Sequence, residues 1–123
     1  MAAKRSSEPC TFETVRTLAL ALPGVEEGTH YGTPAFRVRG KFFSRLREDG
    51  DTLVLKCDLE ERGHLIESAP EVLYILEHYR KYPYVLLRLS KVQPEELRAL
   101  VEEAWRLTAP SRLLAEWEKG KVA

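Results

Sequence analysis

The sequence predicts a soluble domain in which α-helices combine with a β-sheet, and three features support this prediction. Between Gly28 and Lys56, short apolar and aromatic runs alternate with glycine-containing turns, a pattern typical of consecutive strands. Before and after this region, apolar residues recur at helical spacing. The chain has 123 residues, of which 44% are hydrophobic and 31% charged, as expected for one folded domain.

In the first half of the chain, one helix is followed by four strands. The helix is expected to begin after Thr11, whose hydroxyl can accept a hydrogen bond from the first turn, and to end at Pro23 and Gly24. Strands are expected at residues 25–31, 35–38, 42–47 and 52–57, with turns at Gly40 and residues 48–51. The alternation in residues 36–39 places two apolar side chains on one sheet face and two arginines on the other.

The second half of the chain predicts helices around one further clear strand. A short helix is expected at residues 58–66, where Asp58 and Glu61 resemble a capping box. Residues 71–76 fit a helical turn or a strand, and residues 80–83 fit a loop or strand edge. A strand at residues 84–89 precedes a helix that begins at Pro94, and Ser111 caps a last helix. We expect a flexible leader over residues 1–10 and a single domain over residues 11–119.

The register of the first hairpin decides which residues share a sheet face. A three-residue loop, residues 39–41, would pair Val38 with Phe42. Phe36 would then pair with Ser44, and the apolar residues would collect on one face. A two-residue loop would shift the pairing and scatter the arginines, because a one-residue slip exchanges the faces. We favour the three-residue loop, which predicts an opposite, cationic face formed by Arg37, Phe43, Arg45, Arg47, Val54 and Lys56.

This cationic face is the leading candidate for a binding surface. Arginines interleaved with an aromatic residue can combine phosphate contacts with base stacking. The alternative is a solvated face on which arginine stems cover apolar surface. Because Lys+Arg and Asp+Glu are balanced at 19 each, nucleic-acid binding would depend on a local patch. The predicted nucleic-acid-binding residues are Arg37, Arg39, Lys41, Arg45, Arg47, Lys56, Arg80 and Lys81.

The sequence contains no recognisable catalytic, nucleotide-binding or metal-binding motif. Its three histidines lie on separate predicted elements without metal-ligand spacing. We therefore expect a non-enzymatic domain with no catalytic residue, no metal and no cofactor. His30 and Tyr31, next to the turn at Gly32, are candidates for a small ligand pocket, and an enzyme built around them is the least favoured hypothesis. Alternatively, Tyr31 packs and His30 bonds a local carbonyl.

A group of tyrosines favours a different class of function. Tyrosines are enriched at protein interfaces, so this group indicates a protein-interaction or chaperone-like module. It can equally anchor an irregular segment to the core. The four residues are Tyr74, Tyr79, Tyr82 and Tyr84.

The remaining features concern the compartment and the assembly. Cys10 and Cys57 do not form a C-x-x-C pair, and a disulfide between them is disfavoured. The N-terminal residues lack the apolar stretch of a secretory signal, and no apolar run has the length of a membrane span. We expect a cytoplasmic protein without a membrane partner, as a monomer or weak dimer.

Three segments of the chain resemble the MmcQ/YjbR family, over about residues 12–117. They are ALALPGVEEGTHYGTPAFRVRGKFF, LVLKC and EELRALVEEAWRLTAPSRLL. The resemblance implies a bacterial α+β protein with two layers, in which helices cover one face of a mainly antiparallel sheet, as in secretion chaperones and bacterial frataxin. Family members are labelled DNA-binding, with a "double wing" description, and the resemblance brings no catalytic residues.

One segment departs from the family pattern. Some members have a tryptophan-containing lead-in before the strand at residue 84, whereas this chain has HYRKYP at residues 78–83. Arg80 and Lys81 would then supply phosphate contacts there. The candidate partners are therefore DNA, bound with little sequence preference, and another protein.

Overall fold

The computed structural model describes residues 10–122, and the side chains of residues 10–120. Residues 1–9 of the predicted leader lie outside the described residues. The helices are α1 (Phe12–Leu20), α2 (Arg62–Ser68), α3 (Pro94–Thr108) and α4 (Ser111–Val122), with a 3₁₀ turn at Glu77–Tyr79. The strands are β1 (Val25–His30), β2 (Thr33–Val38), β3 (Lys41–Leu46), β4 (Thr52–Lys56), β5 (Leu73–Tyr74) and β6 (Tyr84–Arg88).

The six strands form one antiparallel sheet in the order β1-β2-β3-β4-β6-β5. Helices α1 and α3 pack on one face, where apolar side chains of the strands join those of the helices in the core. Trp105 of α3 is fully buried there, and its indole N–H donates to the carbonyl of Pro23 at 3.0 Å. It also meets Trp117 of α4 in a T-shaped contact, with ring centroids 4.9 Å apart. The predicted α+β, two-layer fold is confirmed.

The predicted register of the first hairpin is wrong near the turn and correct beyond it. Val38 pairs with Lys41, so the loop has two residues, Arg39 and Gly40, both with positive φ (50° and 85°). Such turns match the twist of the strands they join. A β-bulge follows, after which Phe36 pairs with Ser44 as predicted. The extra residue of the bulge compensates for the shorter loop.

The bulge exchanges the expected positions of two phenylalanines. Phe42 was expected in the core, but it pairs with Arg37 and lies on the opposite face of the sheet. Phe43 was expected on the cationic face, but it is fully buried in the core. A bulge places two residues of one strand opposite one residue of its partner, and this local change of alternation brings Phe43 inward.

In the second half of the chain, one helix starts later than predicted and one ambiguous segment contains a strand. Helix α2 begins later than expected, after Glu61, while Asp58 accepts a hydrogen bond from the backbone N–H of Glu60. Residues 71–76 contain the short strand β5. Helix α3 begins at Pro94 as predicted. Cys57 is buried, which raises the pKa of its thiol to about 11, and both cysteines are free.

Candidate ligand-binding cleft

A cleft of about 490 Å³ lies on the sheet face opposite the helices. Strands β1, β3, β4 and β6 supply part of its lining, and the 3₁₀ turn with its neighbours supplies a wall. Both predicted pocket residues and two of the predicted arginines meet here. The lining residues are His30, Tyr31, Phe42, Arg45, Arg47, Glu48, Val54, His78, Tyr79 and Tyr84.

Arg45 is a buried cation in this cleft. Its side chain is only 8% exposed. The guanidinium donates to the hydroxyls of Thr33 at 2.9 Å and Tyr79 at 3.2 Å, both of which are neutral. Within the described part of the chain, one carboxylate lies within 4 Å of it, that of Glu48 at 3.7 Å, and the Glu48 side chain is 64% exposed. The positive charge is therefore held in place by hydrogen bonds but weakly neutralised.

Arg47 brings a second guanidinium to the cleft. Its carbon Cζ lies 5.9 Å from the ring centroid of Tyr79, a distance that permits a cation–π interaction. Its Nε is buried and has no hydrogen-bond partner among the residues that the structure describes. Native structures rarely leave a buried donor unpaired, so this N–H lacks the acceptor that a buried donor normally has.

His30 is a neutral hydrogen-bonding group beside the two arginines. Burial lowers its pKa, and the positive charges of Arg37 and Arg45 lower it further. Nδ1 lies 3.4 Å from the guanidinium of Arg37, which can only donate, so the neutral ring accepts at Nδ1 and carries its proton on Nε2. The alternative expectation was that His30 bonds a local carbonyl. In the structure, Nδ1 of its ring instead contacts the guanidinium of Arg37.

Aromatic rings form a continuous row along the cleft. The ring centroid of His30 lies 4.5 Å from that of Tyr31 and 4.8 Å from that of Phe42. Phe42 in turn meets the edge of Tyr84 at 5.7 Å. We define the aromatic row as these four rings.

Tyr31 is held in an unusual backbone conformation at one end of this row. It occupies the two-residue turn between β1 and β2 with φ of 56°, followed by Gly32 with φ of 81°. Left-handed backbone is costly for residues that carry a Cβ, and tyrosine is not a residue that this turn favours. Its side chain is nevertheless 81% exposed, with its ring 5.6 Å from Cζ of Arg45. The position therefore exposes an aromatic ring at a conformational cost.

Arg62 fixes the wall of the cleft, although sequence reasoning did not identify it. From the first turn of α2, its guanidinium donates to four backbone carbonyls of the segment that connects the 3₁₀ turn to β6. The accepting carbonyls are those of Tyr79 (3.4 Å), Arg80 (2.7 Å), Tyr82 (2.7 Å) and Tyr84 (3.1 Å). No pattern in the sequence marks this role, because the partners are backbone atoms distant along the chain.

The structure separates the other predicted cations. Arg37 lies over β1 beside His30, next to the cleft rather than in its lining. Lys56 contributes to a different cavity of about 70 Å³. Arg80 is exposed and paired with Glu77 at 3.0 Å, and Lys81 is exposed.

Two predicted cations lie on the other side of the sheet. The side chain of Arg39 packs against Gly24 beside Leu113 of α4, and a Cβ added at Gly24 would lie 2.9 Å from its Nε. Lys41 pairs with the core residue Val38, and paired residues project from the same face. Arg39 and Lys41 therefore do not share a face with Arg37 and Arg45, because the two-residue loop turns them to the other side of the sheet.

The four tyrosines of the predicted interaction group have different environments: three contact other side chains of the sheet or the cleft, and one is exposed. The Tyr74 hydroxyl lies 3.0 Å from that of Thr52, and its ring lies 4.0 Å from Cζ of Arg88. Tyr79 and Tyr84 line the cleft, whereas Tyr82 is 54% exposed. Tyr79 thus holds the 3₁₀ turn to β3 through Arg45, while Tyr74 and Tyr84 belong to strands.

Residues 10–122 contain neither a membrane-spanning helix nor a metal-binding cluster. No helix in this range is long and apolar enough to cross a membrane. No group of three His, Cys, Asp or Glu side chains in this range is arranged to hold a metal ion.

The family model named YjbR matches residues 20–107, a range that contains every residue lining the cleft. The chain belongs to the YjbR family. Among solved structures, this YjbR chain is similar to the crystal structure of the Deinococcus radiodurans protein DR2400, which carries the family domain DUF419. The TM-score is 0.68 with 21% sequence identity, over 85% of this chain and 81% of that one. This likeness shows the fold.

Curated relatives match a shorter part of the chain. The uncharacterized proteins Mb2600 of Mycobacterium bovis and Rv2570 of Mycobacterium tuberculosis are each 38% identical to it over 50 residues. The match covers 41% of this chain and 39% of each relative. Their names describe no activity, so the function is argued from the cleft itself.

Proposed function

We propose that this protein is a non-enzymatic DNA-binding domain that takes up single-stranded DNA at the cleft. The observation that supports this is the meeting of Arg45 and Arg47 with the aromatic row on one open face. Guanidinium groups bind phosphate oxygens well, and aromatic rings stack on bases of any sequence. The combination is the one that single-strand-binding surfaces use.

The size of the cleft selects single strands over duplex. Pockets of about 300–1,000 Å³ hold small ligands, so a cleft of about 490 Å³ can hold one unstacked nucleotide. A base inside a duplex reaches such a site only after unpairing and unstacking, which costs free energy. We therefore expect weaker binding of duplex than of a single strand.

Cations near the cleft would contact the neighbouring phosphates. Arg37 lies beside His30, while Arg80 and Lys81 belong to the segment that Arg62 holds. Arg39 and Lys41 lie on the side of the sheet that faces the helices, so they are poor candidates for the same strand.

The test is a titration of fluorescently labelled single-stranded and duplex DNA, followed by anisotropy at several salt concentrations. We expect the single strand to bind more tightly, with affinity falling as salt rises. The variant Arg47→Gln should weaken binding about tenfold or more, because one charge-assisted contact is lost. It should also reduce the salt slope by about 0.7, the value for one phosphate contact on a single strand.

Lys91→Gln is the matched control, since it removes the same charge from an exposed residue that does not line the cleft. It should leave affinity and slope close to those of the wild type. Equal effects of the two substitutions, or no binding of either DNA at low salt, would overturn the proposal. A stoichiometric protein partner that is captured with the wild type and resists nuclease would instead favour a protein-interaction module.

A further inference from the structure

The buried charge in the cleft is the starting point for a second, more specific conclusion. The side chain of Arg45 is 8% exposed, and its close partners are neutral oxygen atoms. A buried cation is stable only when paired or well hydrogen-bonded, and Glu48 at 3.7 Å is too exposed and too distant to neutralise it fully. The site is therefore electrostatically suited to a small anion.

Arg47 supplies an independent observation. Its Nε is buried without a partner among the described residues, and it belongs to the same cleft as Arg45. Residues two apart on an extended chain project from the same side. One anionic group bound in the cleft beside the two guanidinium groups would neutralise Arg45.

The aromatic row defines the rest of the ligand. His30, Phe42 and Tyr84 offer ring faces or edges inside the cleft, and Tyr31 adds a ring at its exposed end. Nδ1 of His30 contacts the guanidinium of Arg37. Its Nε2–H therefore remains able to donate to an oxygen or nitrogen atom on the ring of a bound ligand. A planar ring therefore fits beside the anion site, within a volume of about 490 Å³.

We propose that the cleft is a specific site for a free nucleoside monophosphate, with the phosphate at Arg45 and Arg47 and the base against the aromatic row. The inference concerns the same cleft as DNA binding but does not require it, because a free nucleotide can bind where no polymer does. The carboxylate of Glu48, which also lines the cleft, opposes the phosphate electrostatically. Its removal should therefore strengthen binding.

The experiment is isothermal titration calorimetry of the full chain with uridine monophosphate, adenosine monophosphate, uridine and inorganic phosphate. We expect each nucleotide to bind at least about tenfold more tightly than uridine or phosphate alone, since only the nucleotide uses both halves of the site. Arg47→Gln should weaken nucleotide binding about tenfold. Glu48→Gln should strengthen it, and Lys91→Gln should leave it unchanged. Circular dichroism verifies that each variant is folded.

The outcomes separate this inference from the proposed function. Nucleotides that bind no better than phosphate, or that bind Arg47→Gln and Lys91→Gln equally well, would overturn the inference. Binding of the nucleotide without binding of any DNA would overturn DNA binding and support the inference. DNA binding that uridine monophosphate does not compete with, and that Arg47→Gln does not weaken, would place DNA elsewhere and overturn DNA binding at the cleft, whereas the calorimetry alone decides the nucleotide site.

Discussion

The substitution Tyr31→Asn separates the stability of the fold from the function of the cleft. Tyr31 lies in a turn that requires positive φ at both central residues, and its own φ is 56°. Asparagine followed by glycine is the preferred pair for such a turn, whereas tyrosine has no such preference. The same substitution removes the most exposed ring of the aromatic row.

The favourable and unfavourable effects of Tyr31→Asn on the free energy of unfolding nearly cancel. Left-handed backbone costs a residue with a Cβ about 1–2 kcal/mol, much of which asparagine avoids. Against this, the variant loses the contact with Arg45 at 5.6 Å, about 0.5–1 kcal/mol at an exposed site. It also loses the ring contact with His30 at 4.5 Å, about 0.5–1.5 kcal/mol. The free energy of unfolding should therefore change by no more than about 1 kcal/mol in either direction.

Binding should respond much more strongly than stability. Stacking of one base on an aromatic side chain contributes about 1–3 kcal/mol, which corresponds to about 5- to 150-fold in affinity. Chemical denaturation measures the free energy of unfolding. Anisotropy with labelled single-stranded DNA, together with nucleotide calorimetry, measures the affinity.

Arg39→Asn is the matched control, because Arg39 occupies the first position of the equivalent turn between β2 and β3, with φ of 50°. It should gain up to about 1 kcal/mol of stability and leave nucleotide binding unchanged. A loss of more than about 2 kcal/mol in Tyr31→Asn would identify Tyr31 as a structural anchor and refute this reasoning. Unchanged affinity would show that its ring does not touch the ligand.

Two further predictions concern the wall of the cleft and its histidine. Arg62→Met should cost about 1–3 kcal/mol of unfolding free energy and speed amide hydrogen exchange in residues 79–84, because four carbonyls lose their shared donor. Arg62→Lys should recover only part of this protection, and equal exchange in wild type and Arg62→Met would contradict the assignment. The lowered pKa of His30 means that the unfolded chain binds a proton more readily than the folded one, so stability should fall as the pH drops through 6.5, the ordinary value. Denaturation of wild type and His30→Gln between pH 8 and about 5 measures this loss, which should be smaller in the variant; parallel curves would refute it.

The fold was largely predictable because its elements carry local signals. Thr11 and Pro94 stand at helix starts, and the apolar alternation of β6 places Val85, Leu87 and Leu89 in the core as predicted. The family resemblance then supplied the arrangement of layers. The error at the first hairpin came from the bulge, which depends on packing around Phe43 and leaves no clear trace in the alternation of residues.

The cleft was predictable only in part. His30 and Tyr31 were identified as a pair beside a turn, and Arg45 and Arg47 were identified by alternation along the strand predicted at residues 42–47. The wall could not be foreseen, because it depends on one guanidinium that gathers carbonyls from a segment without regular structure. Backbone acceptors are the same in every residue, so sequence carries no record of such contacts.

The bulge in β3 lets a two-residue hairpin tip coexist with arginines that face the cleft. An insertion or deletion at the tip would ordinarily rotate every later side chain of the strand to the wrong face. Here the adjustment is completed between Phe42 and Ser44, before Arg45 is reached. The one extra residue therefore sends Arg39 and Lys41 towards the helices and Arg45 towards the cleft, so the two ends of a single hairpin serve opposite sides of the molecule.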